Sequence, residues 1–170
     1  MRKYQQLLLI TLILLVIFTP FSFANDLILS DKLVLKYQTP KLITHTQNSL
    51  IIKYPDWWFA HEILDAQRMY PGIDLSDNLY NFINAIFDES FRSKLPENLV
   101  NLSIEQAQAF GVTPDNVTKK HINEASIISV YDEKQNRGDI YIFEERMIHH
   151  IDTSCTNSTF KSIIDSIKAR

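Results

Sequence analysis

Apolar residues in the first third of the chain fall into short runs that are separated by polar turn residues. The runs cover residues 33–37, 42–44 and 49–54, and Pro55 follows the last of them. Runs of this length that are rich in β-branched and aromatic residues are typical of strands, and proline cannot donate to a β-ladder. The pattern predicts two or three strands joined by tight turns and ending at Pro55.

The spacing of apolar residues becomes helical after Pro55. Residues 57–70 carry an apolar stripe at spacings of four, three and four, formed by Phe59, Ile63, Ala66 and Tyr70. Residues 79–91 follow the 3.6-residue period more regularly, and Pro96 marks the end of that pattern. Two amphipathic helices are therefore predicted here.

Two further helix starts are indicated downstream. Ser103-x-x-Gln106 is a capping box, and Gly111 suits the left-handed position that ends a short helix. Thr113-Pro114 combines an N-cap residue with proline in the first turn. Residues 56–122 are accordingly expected to be mostly helical.

Strict alternation returns near the C-terminus. Residues 126–131 and 140–144 alternate on either side of a polar turn, which predicts a hairpin, and a further strand is predicted from Met147 to about Cys155. A last amphipathic helix, running to Arg170, is predicted from the stripe Phe160, Ile163, Ile164 and Ile167. The predicted fold class is α+β, with an antiparallel sheet from N-terminal and C-terminal strands, a helical middle segment and a C-terminal helix.

The first 24 residues have the three zones of a secretory signal peptide. Arg2 and Lys3 precede an uncharged apolar run over residues 7–18, and Ser22-Phe23-Ala24 supplies small residues where signal peptidase requires them. The run would be about 18 Å long as a helix, whereas the hydrocarbon layer is about 30 Å thick. Cleavage after Ala24 is predicted, which leaves 25–170 as a single domain without a stable membrane anchor. The alternative is an uncleaved anchor.

Composition and charge narrow the classes of function. The chain has 170 residues, 45% of them hydrophobic, and its net charge of -3 becomes -5 once Arg2 and Lys3 are removed with the leader. It is too apolar to be disordered and offers no basic surface for nucleic acid. A lone cysteine, Cys155, excludes an internal disulfide and a CxxC pair, and three glycines exclude a glycine-rich phosphate loop. No cofactor is indicated, and the predicted location is periplasmic or secreted.

The order of elements resembles the PsbP-like fold, in which early strands end in a YP-x-x-W segment and a late hairpin leads into a closing helix. The segment from Ser49 to Trp58 looks like the first feature, and 139–144, 148–155 and 160–167 look like the second. The predicted central helix pair departs from the strand-rich centre of that family. The resemblance implies the fold class alone, because the family includes photosystem subunits and exported bacterial proteins of diverse role.

Two segments contain histidines that are candidates for chemistry. His61-Glu62-x-x-Asp65 would place His61 and Asp65 on one helical face, but it lacks the second histidine of the HExxH metalloprotease motif. His149 and His150 are adjacent in a predicted strand, so their rings project to opposite faces and cannot chelate one metal. No metal site is predicted. His150 is a candidate binding residue, with Tyr141, Glu144 or Asp152 as possible pocket partners, and a hydrogen-bonded structural histidine is the alternative.

Trp57, Trp58 and Phe59 are three consecutive large aromatic residues. On a helix their side chains would be about 100° apart, so all three could not face the core. Tryptophan is enriched at recognition hot spots, which makes Trp57 and Trp58 candidate binding residues. The alternative is an aromatic clamp that holds the predicted helix onto the sheet.

The sequence contains no recognisable catalytic constellation, whereas export, small size and acidic charge fit a binding protein. We therefore expect a non-catalytic periplasmic protein that binds a protein partner, for example an immunity or inhibitor protein that masks a toxin. The alternative is a small hydrolase or metal-dependent enzyme of the envelope that uses His61 with Asp65, or His150. An assembly factor of an envelope complex would differ only in its partner.

Overall fold

The computed structural model describes residues 24–170, in which two antiparallel sheets are covered by helices. This arrangement confirms the predicted α+β class. The strands are β1 Ala24–Ile28, β2 Leu33–Gln38, β3 Leu42–His45, β4 Ser49–Lys53, β5 Trp58–Ile63, β6 Val117–Ile122, β7 Ala125–Asp132, β8 Arg137–Phe143, β9 Ile148–Ser154 and β10 Ile167–Ala169. The helices are α1 Leu79–Phe87, a 3-10 helix Glu89–Lys94, α2 Glu97–Ala109 and α3 Asn157–Ser166. The predicted signal peptide, apart from Ala24, lies outside the described residues.

The larger sheet brings distant parts of the chain together. Its strand order is β3-β4-β5-β9-β8-β7-β6, so β5 lies beside β9 near the middle of the sheet. This antiparallel pairing aligns Phe59 with Thr153 and Glu62 with His150. The smaller sheet has the order β1-β2-β10. N-terminal and C-terminal strands are therefore neighbours in both sheets.

Both faces of the larger sheet are buried along β8. Ile140 and Ile142 are fully buried on one face, against α3 and the smaller sheet. Tyr141 and Phe143 are buried on the other face, against α1 and α2. Successive side chains of a strand point to opposite faces, so a strand that is covered on both sides is apolar almost throughout.

The C-terminal helix is confirmed on its apolar stripe but is shorter than predicted. Phe160 and Ile163 are buried, and Gly138 makes room for the helix because a Cβ at that position would lie 2.3 Å from the Phe160 ring. The helix ends at Ser166, and Ile167 begins β10, which pairs with β2. The chain therefore leaves the helix four residues before Arg170, because backbone pairing with β2 is available there.

The predicted helix over residues 57–70 is wrong. Residues 58–63 form β5, which is paired with β4 on one side and β9 on the other, and turns follow it. Two neighbouring strands satisfy the backbone of β5, and aromatic residues such as Trp58 favour a strand. The helical spacing from Phe59 to Tyr70 joins residues of different elements. Neighbouring aromatic side chains here alternate between sheet faces instead of turning by 100°.

The helical middle is confirmed only for residues 79–109. The predicted capping box is wrong, because α2 already begins at Glu97 and Ser103 lies inside the helix. The Ser103 hydroxyl is buried and donates to the carbonyl of Val100 at 2.7 Å. The predicted helix start at Thr113 is also wrong, because a turn there leads into β6, a strand that the sequence pattern did not predict.

Replacing Ile163 with alanine is expected to lower the free energy of unfolding by about 2–5 kcal/mol, because the side chain is buried and the truncation leaves a cavity. Lys161→Ala, at an exposed position of the same helix, is the matched control and is expected to stay close to the wild type. Urea unfolding followed by circular dichroism measures both variants. Equal midpoints for Ile163→Ala and the wild type would contradict the packing of α3.

Candidate binding cleft

A cleft of about 670 Å³ opens on the face of the larger sheet that carries α1 and α2. Its floor contains side chains of β5, β8 and β9, namely Glu62, Asp139, Tyr141 and His150. Its rim includes Ile63 and the loop that follows β5, with Asp65, Arg68 and Tyr70. The cleft therefore exists because β5 meets the β8–β9 hairpin, from a distant part of the chain, in one sheet.

His150 lies between two carboxylates on the cleft floor. Its Nδ1 is 3.0 Å from Oε1 of Glu62, and its Nε2 is 3.0 Å from Oδ1 of Asp139. Glu62 is directly opposite His150 in the β5–β9 register, and Asp139 lies on β8, which flanks the other side of β9. The His150 side chain is 14% exposed and that of Asp139 is 5% exposed. The sheet itself thus holds these groups at hydrogen-bonding distance.

These two hydrogen bonds determine the charge of His150. Burial by itself would lower the pKa of His150, but the bonds to Asp139 and Glu62 outweigh that effect and raise the pKa to about 9. The bond from His150 likewise lowers the pKa of Glu62, against the effect of burial. His150 is therefore an imidazolium at neutral pH, with both N–H groups donated to carboxylates. Neither nitrogen keeps a lone pair for a general base or a metal ligand.

The aromatic ring of Tyr141 stacks against the imidazole ring of His150. The two rings are stacked with centroids 4.6 Å apart and an interplanar angle of 17°. Tyr141 is 3% exposed, and burial raises the pKa of its hydroxyl well above the usual range, so the phenol stays neutral. A neutral aromatic ring under an imidazolium provides a cation–π contact in addition to apolar packing.

A second ion pair lies beside the first. Arg137 donates Nε and Nη2 to the two carboxylate oxygens of Asp152, at 3.0 and 3.1 Å. Arg137 lines the cleft, and Asp152 pairs with Asp139 across the β8–β9 register. The cluster of Glu62, Asp139, Asp152, Arg137 and His150 therefore combines three carboxylates with two cations. One negative charge is left without a counter-ion inside the cluster.

His61 and His149 form a different pair on the opposite face of the sheet. Their rings are stacked 5.3 Å apart, and Nε2 of His61 is 3.1 Å from Nδ1 of His149. Burial, followed by repulsion from His149, lowers the pKa of His61 to about 4, and burial also lowers the pKa of His149. Both rings are neutral at neutral pH. The prediction that His149 and His150 project to opposite faces is confirmed.

A hydrogen bond to Glu144 determines the tautomers of His149 and His61. Its Oε2 lies 3.4 Å from Nε2 of His149, and its Oε1 accepts the Ser30 hydroxyl at 2.9 Å. A carboxylate accepts only, so His149 donates Nε2–H to Glu144, and its Nδ1 accepts Nε2–H from His61. The remaining nitrogen of His61, Nδ1, then carries a lone pair. The predicted helical face shared by His61 and Asp65 is wrong, because Asp65 lies in the loop after β5 and accepts the backbone N–H of Gln67.

The two tryptophans lie apart from the floor of the cleft. Trp57 stacks on Tyr54 with centroids 3.9 Å apart and lines a separate groove beside α3. Trp58 begins β5 and lies on the same strand face as Glu62, outside the cleft lining. Both side chains are half-buried. Of the three candidate binding residues, the structure places only His150 in this cleft.

Glu62 and Asp139 are the site residues that the sequence interpretation missed. Asp139 carried a usable signal, because it directly precedes the apolar run 140–143 in a predicted hairpin strand, and a charge buried there requires a partner. Glu62 carried none, because the predicted helix assigned it to the wrong element. Tyr141 and Asp152, considered as pocket partners of a histidine, do lie on the same face of the sheet as His150.

No protein-family model, curated protein or solved structure matches this chain. The resemblance to the PsbP-like fold therefore stays a prediction. Among residues 24–170, no helix has the length and apolar character needed to cross a membrane. Over the same range, the His, Cys, Asp and Glu side chains form no group of three or more that could hold a metal ion.

A His150→Gln variant is expected to lose less stability at alkaline pH than the wild type does. The pKa of about 9 in the folded protein lies above the ordinary 6.5, so protonation of His150 stabilises the fold fully below pH 6.5. This contribution is lost as the pH rises from 6.5 to 9. Urea unfolding at pH 6.5 and pH 9 measures the free energy of unfolding. At pH 6.5 the variant should be less stable than the wild type. Its free energy of unfolding should also change less between the two pH values.

The control for this experiment is His121→Gln, at an exposed position on β6. It is expected to lose stability between pH 6.5 and 9 as the wild type does. An equal loss in the His150→Gln protein would show that His150 is not held in its charged form.

Proposed function

We propose that the protein is an exported, non-catalytic binding protein whose cleft receives a segment of a protein partner, in the manner of a periplasmic immunity or inhibitor protein. The observation that carries this proposal is the position of His150 between two carboxylates on the cleft floor. Its ring is charged and donates both N–H groups to carboxylates at 3.0 Å. Such a group can present charge and shape to a ligand, but it cannot accept a proton from a substrate.

The position of the cysteine also favours binding over nucleophilic catalysis. Cys155 is buried in the core beneath α3, and its sulfur lies 2.8 Å from the hydroxyl oxygen of Thr153. Burial raises the pKa of the Cys155 thiol, which disfavours the nucleophilic thiolate. This residue therefore has the properties of a small core side chain.

The rim of the cleft supports a protein as the ligand. Ile63 lines the cleft and is 53% exposed. Burial of this apolar side chain against a protein segment that enters the cleft would be favourable. A charged floor inside such a rim would select the partner by its charge.

The compartment in this proposal rests on the N-terminal pattern of Arg2, Lys3, the apolar run and the Ser22-Phe23-Ala24 site. Without these residues the chain has a formal charge of -5, which favours a partner with a basic surface. Small size and an acidic surface fit a protein that masks another protein, and an assembly factor would differ only in its partner.

A hydrolase is the second candidate, and one observation favours it. Ser30, Glu144, His149 and His61 form a hydrogen-bonded chain in which a carboxylate orients a histidine. His61 borders the cleft, but its ring lies on the opposite face of the sheet from His150. Its Nδ1 keeps a lone pair, as a general base requires. The low pKa of His61, about 4, makes it a weak base, which ranks this candidate second.

The proposed function is tested by crosslinking the purified protein to envelope extracts of its own host. Ile63→Asp places a charge on the cleft rim and is expected to reduce capture of the crosslinked partner at least tenfold. Ile28→Asp is the matched control, because Ile28 is also 53% exposed but lies on β1 in the smaller sheet. It is expected to capture the partner as the wild type does.

Equal capture by the Ile63→Asp and Ile28→Asp proteins would contradict the proposed binding surface. Hydrolysis of an ester or peptide substrate by the wild type, lost in His61→Ala, would replace the binding proposal with the hydrolase. The Ile63→Asp, Ile28→Asp and His61→Ala variants all change side chains that are at least partly exposed. Circular dichroism verifies that each variant is folded.

A further inference from the structure

The unbalanced charge of the cleft is concentrated on Glu62. Asp152 is neutralised by Arg137 through two hydrogen bonds, and in the described part of the chain His150 is the cation that contacts both Glu62 and Asp139. The side chain of Glu62 is 36% exposed, whereas that of Asp139 is 5% exposed. Glu62 is therefore the carboxylate of this pair that a ligand can reach.

The two oxygens of Glu62 are not equivalent. Oε1 accepts the short bond from His150, and within residues 24–170 the one donor to Oε2 is the Ser49 hydroxyl at 3.3 Å. A carboxylate oxygen accommodates more than one donor, so Oε2 can accept a further bond from the cleft. A guanidinium group binds a carboxylate best through both oxygens, whereas an ammonium group needs only one. The geometry favours an ammonium group.

A second observation, independent of the acidic groups, also indicates a ligand. Tyr141 is 3% exposed and lines the cleft, and its hydroxyl has no hydrogen-bond partner among residues 24–170. This oxygen is not sealed from solvent, and the cleft is the cavity that Tyr141 lines. Because the rest of the side chain is buried, only water or a ligand within the cleft can complete the hydrogen bonding of this hydroxyl. The cleft thus offers an uncharged acceptor in addition to Glu62.

The walls of the cleft suit an alkyl chain that carries the charge. Tyr70, Ile86 and Phe110 line the cleft around its charged floor. The four methylene groups of a lysine side chain can pack against such apolar walls while the ammonium group reaches polar atoms. Aromatic rings near the path of a cation add a favourable electrostatic contact.

We propose that the cleft binds the ammonium group of a lysine side chain on the protein partner, with Glu62 as its counter-ion and the Tyr141 hydroxyl as a hydrogen-bond acceptor. This inference rests on the proposed function, because the partner supplies the lysine. In this arrangement one lysine of the partner provides most of the binding energy. The rest of the interface contributes buried area and shape complementarity.

The test is an NMR titration of the whole protein with three capped tripeptides, Gly-Lys-Gly, Gly-Arg-Gly and Gly-norleucine-Gly. The lysine peptide is expected to bind tightest, with shifts at the signals of Tyr141 and His150. Glu62→Gln is expected to weaken its binding roughly ten- to a hundredfold, as for loss of a charged hydrogen bond of about 1.5–3 kcal/mol. Glu124→Gln makes the same change in net charge at an exposed position outside the cleft and is expected to have no effect.

Tyr141→Phe separates a ligand contact from a structural role. The hydroxyl makes no hydrogen bond within the described residues, so the melting temperature is expected to stay the same while the lysine peptide binds several times more weakly. Tyr131→Phe is the opposite control, because the Tyr131 hydroxyl donates to the carbonyl of Cys155 at 2.7 Å. That variant should lose stability and keep peptide binding.

Other results would overturn the inference. Equal binding of the norleucine peptide would show that the charge is not recognised, and tighter binding of the arginine peptide would show that the group is a guanidinium. Cadaverine binding as tightly as the lysine peptide would assign the site to free amines. No binding of any probe, with capture still sensitive to Ile63→Asp, would overturn this inference alone. Lysine binding with capture insensitive to Ile63→Asp would instead overturn the proposed partner surface.

Discussion

The antiparallel pairing of β5 with β9 is the contact on which both the sheet and the cleft depend. It joins residues 88 positions apart in the chain, such as Glu62 and His150, and it connects the β3-β4-β5 strands to the β9-β8-β7-β6 strands. Closing so long a loop costs conformational entropy, which is recovered only when the paired strands bury both faces. The partners of the cleft floor come together in the same step that completes the core.

Adjacent residues of β9 have opposite protonation properties because the sheet separates them. His149 is fully buried beside His61, and burial lowers its pKa. His150, one residue later, faces two carboxylates that raise its pKa to about 9. The alternation of a strand is enough to place the two rings in different electrostatic environments. A substitution that shifted the register by one residue would exchange these environments.

The charged floor is costly for stability, which is consistent with the proposed binding role. Burying ion pairs requires desolvation that their mutual attraction only partly offsets, and apolar residues of similar volume are often at least as stabilising. The chain nevertheless places five charged groups, two of them joined by a bidentate pair, under an open cleft. The exposed apolar side chain of Ile63 at the rim extends this site onto the surface. Charge on the floor and apolar area on the rim are complementary means of selecting a macromolecular ligand.

The sequence by itself determined the elements whose burial pattern is local. Alternation predicted β7, β8 and β9, the i, i+3, i+4 stripe predicted α3, and adjacency within a strand placed His149 and His150 on opposite faces. Tertiary structure alone decided that residues 58–63 form a strand, because the stabilising partners of β5 come from β4 and β9. It also decided that Glu62 and Asp139 meet His150. The local sequence pattern cannot predict that contact. The register between distant strands is set by the core that they share, and not by the residues adjacent to each strand in the chain.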